Sequence, residues 1–168
     1  MKATIIGAGN IGMALAAGLV ESGTCTRQEI TLTRRNSKSL EIPGLEGFRT
    51  ATSNKIAVSE ADTIFICVLP QQLNELLQEL KDSIDSTKQL VVSVVTGAHT
   101  NVFKQMLGDE TRIIRAMPNT AMKVRESMTC LSSANATAAD VNMVQSLFNT
   151  MGQSIIIEEN MMSAATAL

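Results

Sequence analysis

The chain has 168 residues, the length of one domain, with 45% hydrophobic residues, 18% charged residues and a net charge of −2. That balance excludes disorder, and no apolar run reaches the length of a membrane span. Four Phe, no Tyr, no Trp and no basic block argue against stacking platforms and the electrostatic footprint of a nucleic-acid binder.

In chain order, Lys2 to Ile6 reads as a short buried strand that runs straight into Gly7-Ala-Gly-Asn-Ile-Gly12. Met13 to Val20 is apolar nearly all round and reads as a buried helix stopped by Gly23. A second strand covers Glu29 to Thr33, a polar loop covers Arg34 to Gly47, and a weak third strand covers Phe48 to Ala51. Asn54 to Glu60 is a short helix. Thr63 to Val68 is a buried strand ended by Pro70. Gln71 to Ile84 carries Leu73, Leu76, Leu77 and Leu80 at helical spacing. Strand Leu90 to Val95, ended by Gly97, precedes helix Asn101 to Leu107 and strand Arg112 to Met117. Met128 to Leu131 is a short strand. Thr137, with Asp140 three residues on, is the N-cap of a helix to about Met151, closed by Gly152. Ser154 to Ile157 is the last strand, and a helix begins at Met161. Continuous apolar strands alternating with helices predict an α/β fold: a Rossmann-like, doubly wound, largely parallel sheet with helices on both faces.

Gly7-x-Gly9-x-x-Gly12 lies between a strand and a helix, where a dinucleotide fingerprint belongs. Gly7 permits the tight turn, Gly9 lets the backbone approach a pyrophosphate, and Gly12 lets the helix pack on the strand. The second strand ends in Thr33-Arg34-Arg35-Asn36, with no adjoining carboxylate to repel a 2′-phosphate and two guanidiniums to clamp one. The expected cofactor is therefore NADP(H).

These motifs, with Pro70-Gln71 after a strand and above all Arg115-Ala-Met-Pro-Asn-Thr120, resemble the pyrroline-5-carboxylate reductase family. Glu126-Ser-Met-Thr129, Leu147-Phe148, Gly152 and the run from Glu159 to Leu168 follow in register. The resemblance implies hydride transfer from NADPH to the C=N carbon of a cyclic imine in proline biosynthesis. It implies that Gly7, Gly9, Asn10, Ile11 and Gly12 hold the pyrophosphate, and that Arg34, Arg35 and Asn36 adjoin the 2′-phosphate. Asn54 would contact the adenosine ribose. Val68, Leu69 and Pro70 would lie beside the ribose and nicotinamide, with Thr96 and Gly97 at the next strand end. Met117, Pro118 and Asn119 would sit at the nicotinamide end, and Glu159 near the substrate. Family members continue into a helical region that forms the dimer and completes the substrate pocket. Residues 1–160 are accordingly expected to be the cofactor domain, and 161–168 the start of the helix leading to that region. A homo-oligomer is expected only in the longer form.

Leu69 stands where the family has lysine, Ala121 where it has proline, and Arg125 and Ser127 where it has glycines. Two other readings therefore accompany the first. One is a catalytically incomplete NADP-binding module, and the other is a related deazaflavin-dependent NADP reductase. His99, the single histidine, reads as a solvated loop residue, and Cys67 as an inert thiol in mid-strand. Cys25 and Cys130 are expected to be more exposed. Adjacent Glu158 and Glu159 read as an acidic helix start. Three scattered cysteines suit neither a disulfide framework nor a zinc site. With no leader pattern at the N-terminus, a cytoplasmic location is expected. Nucleic acid, membrane and metal are not expected partners.

Overall fold

The structure, a computed structural model, describes residues 1–34 and 45–165. Strands β1 (Ala3–Ile6), β2 (Ile30–Thr33), β3 (Arg49–Ala51), β4 (Thr63–Ile66), β5 (Leu90–Ser93), β6 (Arg112–Met117), β7 (Ser127–Ala134) and β8 (Gly152–Ile156) form one sheet. Its order is β3-β2-β1-β4-β5-β6-β7-β8. Strands β3 to β6 pair in parallel, β7 runs antiparallel to β6, and β8 is parallel to β7.

Helices α1 (Asn10–Glu21), α2 (Asn54–Ser59), α3 (Pro70–Leu80), α4 (Thr100–Leu107), α5 (Ala138–Asn149) and α6 (Met162–Ala165) complete the layers. Successive residues of a strand point to opposite faces, so an uninterrupted apolar strand feeds two cores. Ile5, Leu32, Phe65, Val92 and Ile114 pack against Leu15 and Leu19 of α1 and Leu147 and Phe148 of α5. Ile6, Ile64, Val91 and Ile113 pack against Val58 of α2, the four α3 leucines, and Phe103 and Leu107 of α4. The doubly wound sheet expected from the sequence is present.

The boundaries differ in instructive ways. Helix α1 begins at Asn10, inside the glycine motif, because Gly9 is already its N-cap. Helix α3 takes Pro70 as its first residue, where a missing N–H costs nothing, and ends at Leu80. Strands β4 and β5 stop two residues short of their apolar runs, which leaves Cys67, Val68 and Val94 beyond the sheet. Strand β7 is longer than its apolar stretch, since Ser132, Ser133 and Ala134 pair with Arg115, Ile114 and Ile113. The Thr137–Asp140 capping box of α5 is formed, with Asp140 N–H donating to Thr137 Oγ1 at 3.1 Å. Cys25 and Cys130 are buried rather than exposed, and burial pushes the Cys25 thiol up to about 11. Of the expected helix from Met161, residues 162–165 are helical and 166–168 lie outside the described residues. Among the described residues no helix is long and apolar enough to cross a membrane. Nor does any group of three or more His, Cys, Asp or Glu side chains converge there to hold a metal ion.

Candidate functional site

The sheet order reverses between β1 and β4, and a cleft of about 800 Å³ opens there at the carboxyl ends of the strands. The glycine turn forms its floor. Gly7 has φ +94°, and a Cβ there would lie 2.5 Å from the Cys67 carbonyl oxygen. A Cβ at Gly12 would lie 2.4 Å from the Gly7 carbonyl oxygen, so the helix could not approach its own turn. Gly9 is different: a Cβ there would meet nothing within 4 Å. The first and third glycines are thus fixed by packing, while the second faces the open cleft. The first-turn N–H groups of α1 have no intrahelical partners, and with the helix dipole they favour an anion at this point.

Backbone hydrogen bonds bind this turn to its neighbours. The N–H groups of Gly7 and Ala8 both donate to the Thr33 carbonyl, at 3.1 and 3.0 Å, and Cys67 N–H donates to the Ile6 carbonyl at 2.8 Å. The turn therefore grips the ends of β2 and β4 together. Arg34 follows the gripped carbonyl and lines the cleft. Cys67 lines it too, from beyond the end of β4 rather than from mid-strand, and burial raises its thiol pKa.

Of the expected cofactor residues, Gly7, Gly9, Asn10, Ile11, Arg34, Asn54, Val68, Leu69, Pro70 and Thr96 line this one cleft. Gly12 supports it from beneath. Gly97, Met117, Pro118, Asn119 and Glu159 are not in its wall. Arg35 and Asn36 lie outside the described residues. Leu69, in place of the family lysine, is 64% exposed at the rim. Asn119 caps the 3₁₀ turn Thr120–Val124, its Oδ1 accepting from Ala121 N–H at 3.1 Å. Arg125 closes that turn at φ +63°, a left-handed conformation suited to the family's glycine, and its guanidinium pairs with Glu21 on α1.

Sequence reasoning missed the α3 side of the cleft. Gln72, Glu75 and Glu79 recur at intervals of three and four residues and turn one flank of α3 toward the cavity. Asn54 Nδ2 donates to Glu79 Oε2 at 3.2 Å, and Asn54 Oδ1 accepts from Thr33 Oγ1 at 2.7 Å. No carboxylate adjoins Arg34 in sequence, as expected, but α3 brings one into the cleft beside Asn54 from 45 residues downstream of Arg34.

A second cluster sits at the same end of the sheet. Buried Arg115 of β6 donates to Glu159 Oε1, which also accepts from Thr100 N–H at 3.2 Å. His99 Nδ1 lies 3.3 Å from the same oxygen, and Ser132 Oγ donates to Oε2 at 3.4 Å. Partial burial would raise the Glu159 pKa, but the Arg115 guanidinium, the Thr100 N–H and His99 outweigh it and hold the carboxyl below its ordinary value. His99 is an exposed loop residue, as expected, and its ring also reaches Glu159. Glu159 ties the chain after β8 to β6, β7 and the start of α4.

With this geometry, relatives can be compared. The family model described as NADP oxidoreductase, coenzyme F420-dependent, matches residues 2–97. The chain belongs to this family. The match to the F420-dependent NADP oxidoreductases ends at Gly97, so the Arg115–Thr120 segment lies beyond it. Full-length likeness comes from other relatives. Pyrroline-5-carboxylate reductase 1 of Dictyostelium discoideum is 36% identical over 98% of this chain and 32% of that protein. The solved pyrroline-5-carboxylate reductase of Coxiella burnetii matches with a TM-score of 0.92 at 31% identity, over 99% of this chain and 63% of that one. The Plasmodium falciparum pyrroline carboxylate reductase, solved with NADP bound, matches with a TM-score of 0.86 at 26% identity, over 99% and 61% respectively. The chain thus spans from about a third to under two thirds of these relatives.

Proposed function

We propose that this chain is the NADP(H)-binding region of an oxidoreductase of the pyrroline-5-carboxylate reductase type, reducing the C=N bond of a cyclic imine in proline biosynthesis. The observation that carries the reading is the division of labour among the glycines: Gly7 and Gly12 are demanded by close packing, while Gly9 opens onto the cleft. A backbone free to approach a ligand, beside a helix N-terminus, is the shape and polarity a pyrophosphate needs.

A reduced nicotinamide dinucleotide held there by the glycine turn and Arg34 would supply a hydride to the C=N carbon, the imine nitrogen taking a proton. The protein's part is to bind and orient. Asn10 and Ile11 present the first-turn N–H groups of α1, and Arg34 offers a cation to the 2′-phosphate. Val68, Leu69, Pro70 and Thr96 wall the route toward the nicotinamide end. Gly97, Met117, Pro118 and Asn119 extend that end along the carboxyl edges of β5 and β6. Glu159 acts through position, holding the chain after β8 beside Arg115, with residues 161–168 leading toward the substrate-binding part. Homo-oligomer assembly belongs to the longer form.

Titration with NADPH, followed by nicotinamide fluorescence, tests the reading. A chain without Trp leaves that signal clean. Saturable binding is expected, weakened by salt and weakened about tenfold in Arg34→Ala. Absence of saturable binding would contradict it. A second reading, favoured by the family match over residues 2–97, is hydride exchange between NADP(H) and a deazaflavin. Turnover with a deazaflavin and none with pyrroline-5-carboxylate would select it.

A further inference from the structure

In dinucleotide folds the group at the end of the second strand decides between cofactors. A carboxylate accepts from the ribose 2′-hydroxyl of NAD, and a cation accommodates the 2′-phosphate of NADP. Here that strand ends in Thr33 and Arg34, and no acidic residue follows them in the local sequence. The tertiary structure changes the balance. Thr33 Oγ1 donates to Asn54 Oδ1 at 2.7 Å, which turns Asn54 Nδ2 outward to donate to Glu79 Oε2 at 3.2 Å. The amide orientation is self-consistent, because a hydroxyl hydrogen meets the oxygen and a carboxylate meets the nitrogen. Two hydrogen bonds thus connect the end of β2 to a carboxylate from α3. Arg34, next in sequence to Thr33, lines the same cleft as Asn54 and Glu79.

We infer that Glu79 is a specificity-determining residue that opposes the 2′-phosphate and supplies the ribose-hydroxyl acceptor absent from the end of β2, setting how strongly NADPH is preferred over NADH. The inference rests on the cofactor reading above. A 2′-phosphate placed near Arg34 comes under the repulsion of the Glu79 carboxylate, whereas a neutral 2′-hydroxyl can donate to it. Glu79 is solvent-exposed, so the repulsion is screened and its effect is a moderate factor rather than an exclusion.

The test measures dissociation constants for NADPH and NADH separately in the unsubstituted chain, Glu79→Gln and Glu110→Gln. Glutamine keeps an oxygen to accept from Asn54 Nδ2 and removes only the charge. Glu110, exposed on the turn before β6, controls for the change in net charge. Glu79→Gln is expected to raise the NADPH-to-NADH preference about 3- to 10-fold, by a factor that shrinks as salt is added, while Glu110→Gln leaves it unchanged. Nucleotide binding with an unaltered ratio in Glu79→Gln, or an equal shift in Glu110→Gln, overturns the inference alone. Binding of neither nucleotide by the unsubstituted chain overturns the cofactor reading and the inference with it.

Discussion

Gly12 shows how one hydrogen atom in place of a methyl group sets the geometry of a site. An added Cβ would lie 2.4 Å from the Gly7 carbonyl oxygen and 3.1 Å from Ile5 Cγ2, and the first of these neighbours is backbone. Neither α1 nor the turn can yield without losing contact with the sheet. Gly12→Ala is therefore expected to destabilise the fold by about 1–3 kcal/mol, read as a lower urea midpoint at unchanged slope. An unchanged midpoint would show that the turn is softer than its packing implies. Arg125 illustrates the opposite tolerance. It holds a left-handed backbone at φ +63°, and its ion pair with Glu21 anchors the 120–126 loop to α1. The sequence showed that a family glycine had been replaced. It did not show the compensating partner, 104 residues away.

The strands and helices were legible because their signals are local. Apolar runs marked the strands, leucine spacing marked α3, and Thr137 with Asp140 marked the start of α5. The missed features depend on residues far apart in the chain. Glu79 reaches Asn54 across 25 residues, and Glu159 reaches Arg115 across 44. The end of β7 was missed for another reason: Ser132 and Ser133 carry no apolar signal, and only pairing with β6 makes them strand. The Arg115–Glu159 pair gives an element-scale prediction. Its folded-state carboxyl pKa is depressed, so its contribution is complete above the unfolded value of about 4.3 and is lost as pH falls through the folded value. Glu159→Gln leaves the buried Arg115 guanidinium without its counter-charge. Because Glu159 is partly solvated, the expected cost at pH 7 is about 1–3 kcal/mol, converging on the unsubstituted protein at the acid end. Denaturation curves from pH 3 to pH 8 read this directly. A gap that stays constant with pH would mean that the pair carries no net charge-dependent stability.

At the scale of the whole molecule, sheet order places the working residues together. The reversal between β1 and β4 gathers the glycine turn, Arg34, Asn54, the Val68–Pro70 loop and Thr96 around one cleft, although they span almost ninety residues of sequence. The glycine motif announced the floor of that cleft. Its acidic flank on α3 emerged only when the helix was laid against the sheet. The central claim is that the cleft takes a dinucleotide whose pyrophosphate lies over Gly9. Thermal unfolding of the unsubstituted chain and Gly9→Ala, each with and without NADPH, tests it most directly. Space around Gly9 predicts that the alanine variant alone melts within about 4 °C of the unsubstituted chain, an N-cap change of about 0.5–1 kcal/mol. At a hundredfold excess over the dissociation constant, NADPH is expected to stabilise the unsubstituted chain by about 2.7 kcal/mol, a rise of roughly 5–10 °C. Gly9→Ala at the same concentration should lose most of that rise. An equal rise in both proteins would contradict the account, because the cofactor would then bind without approaching the glycine turn.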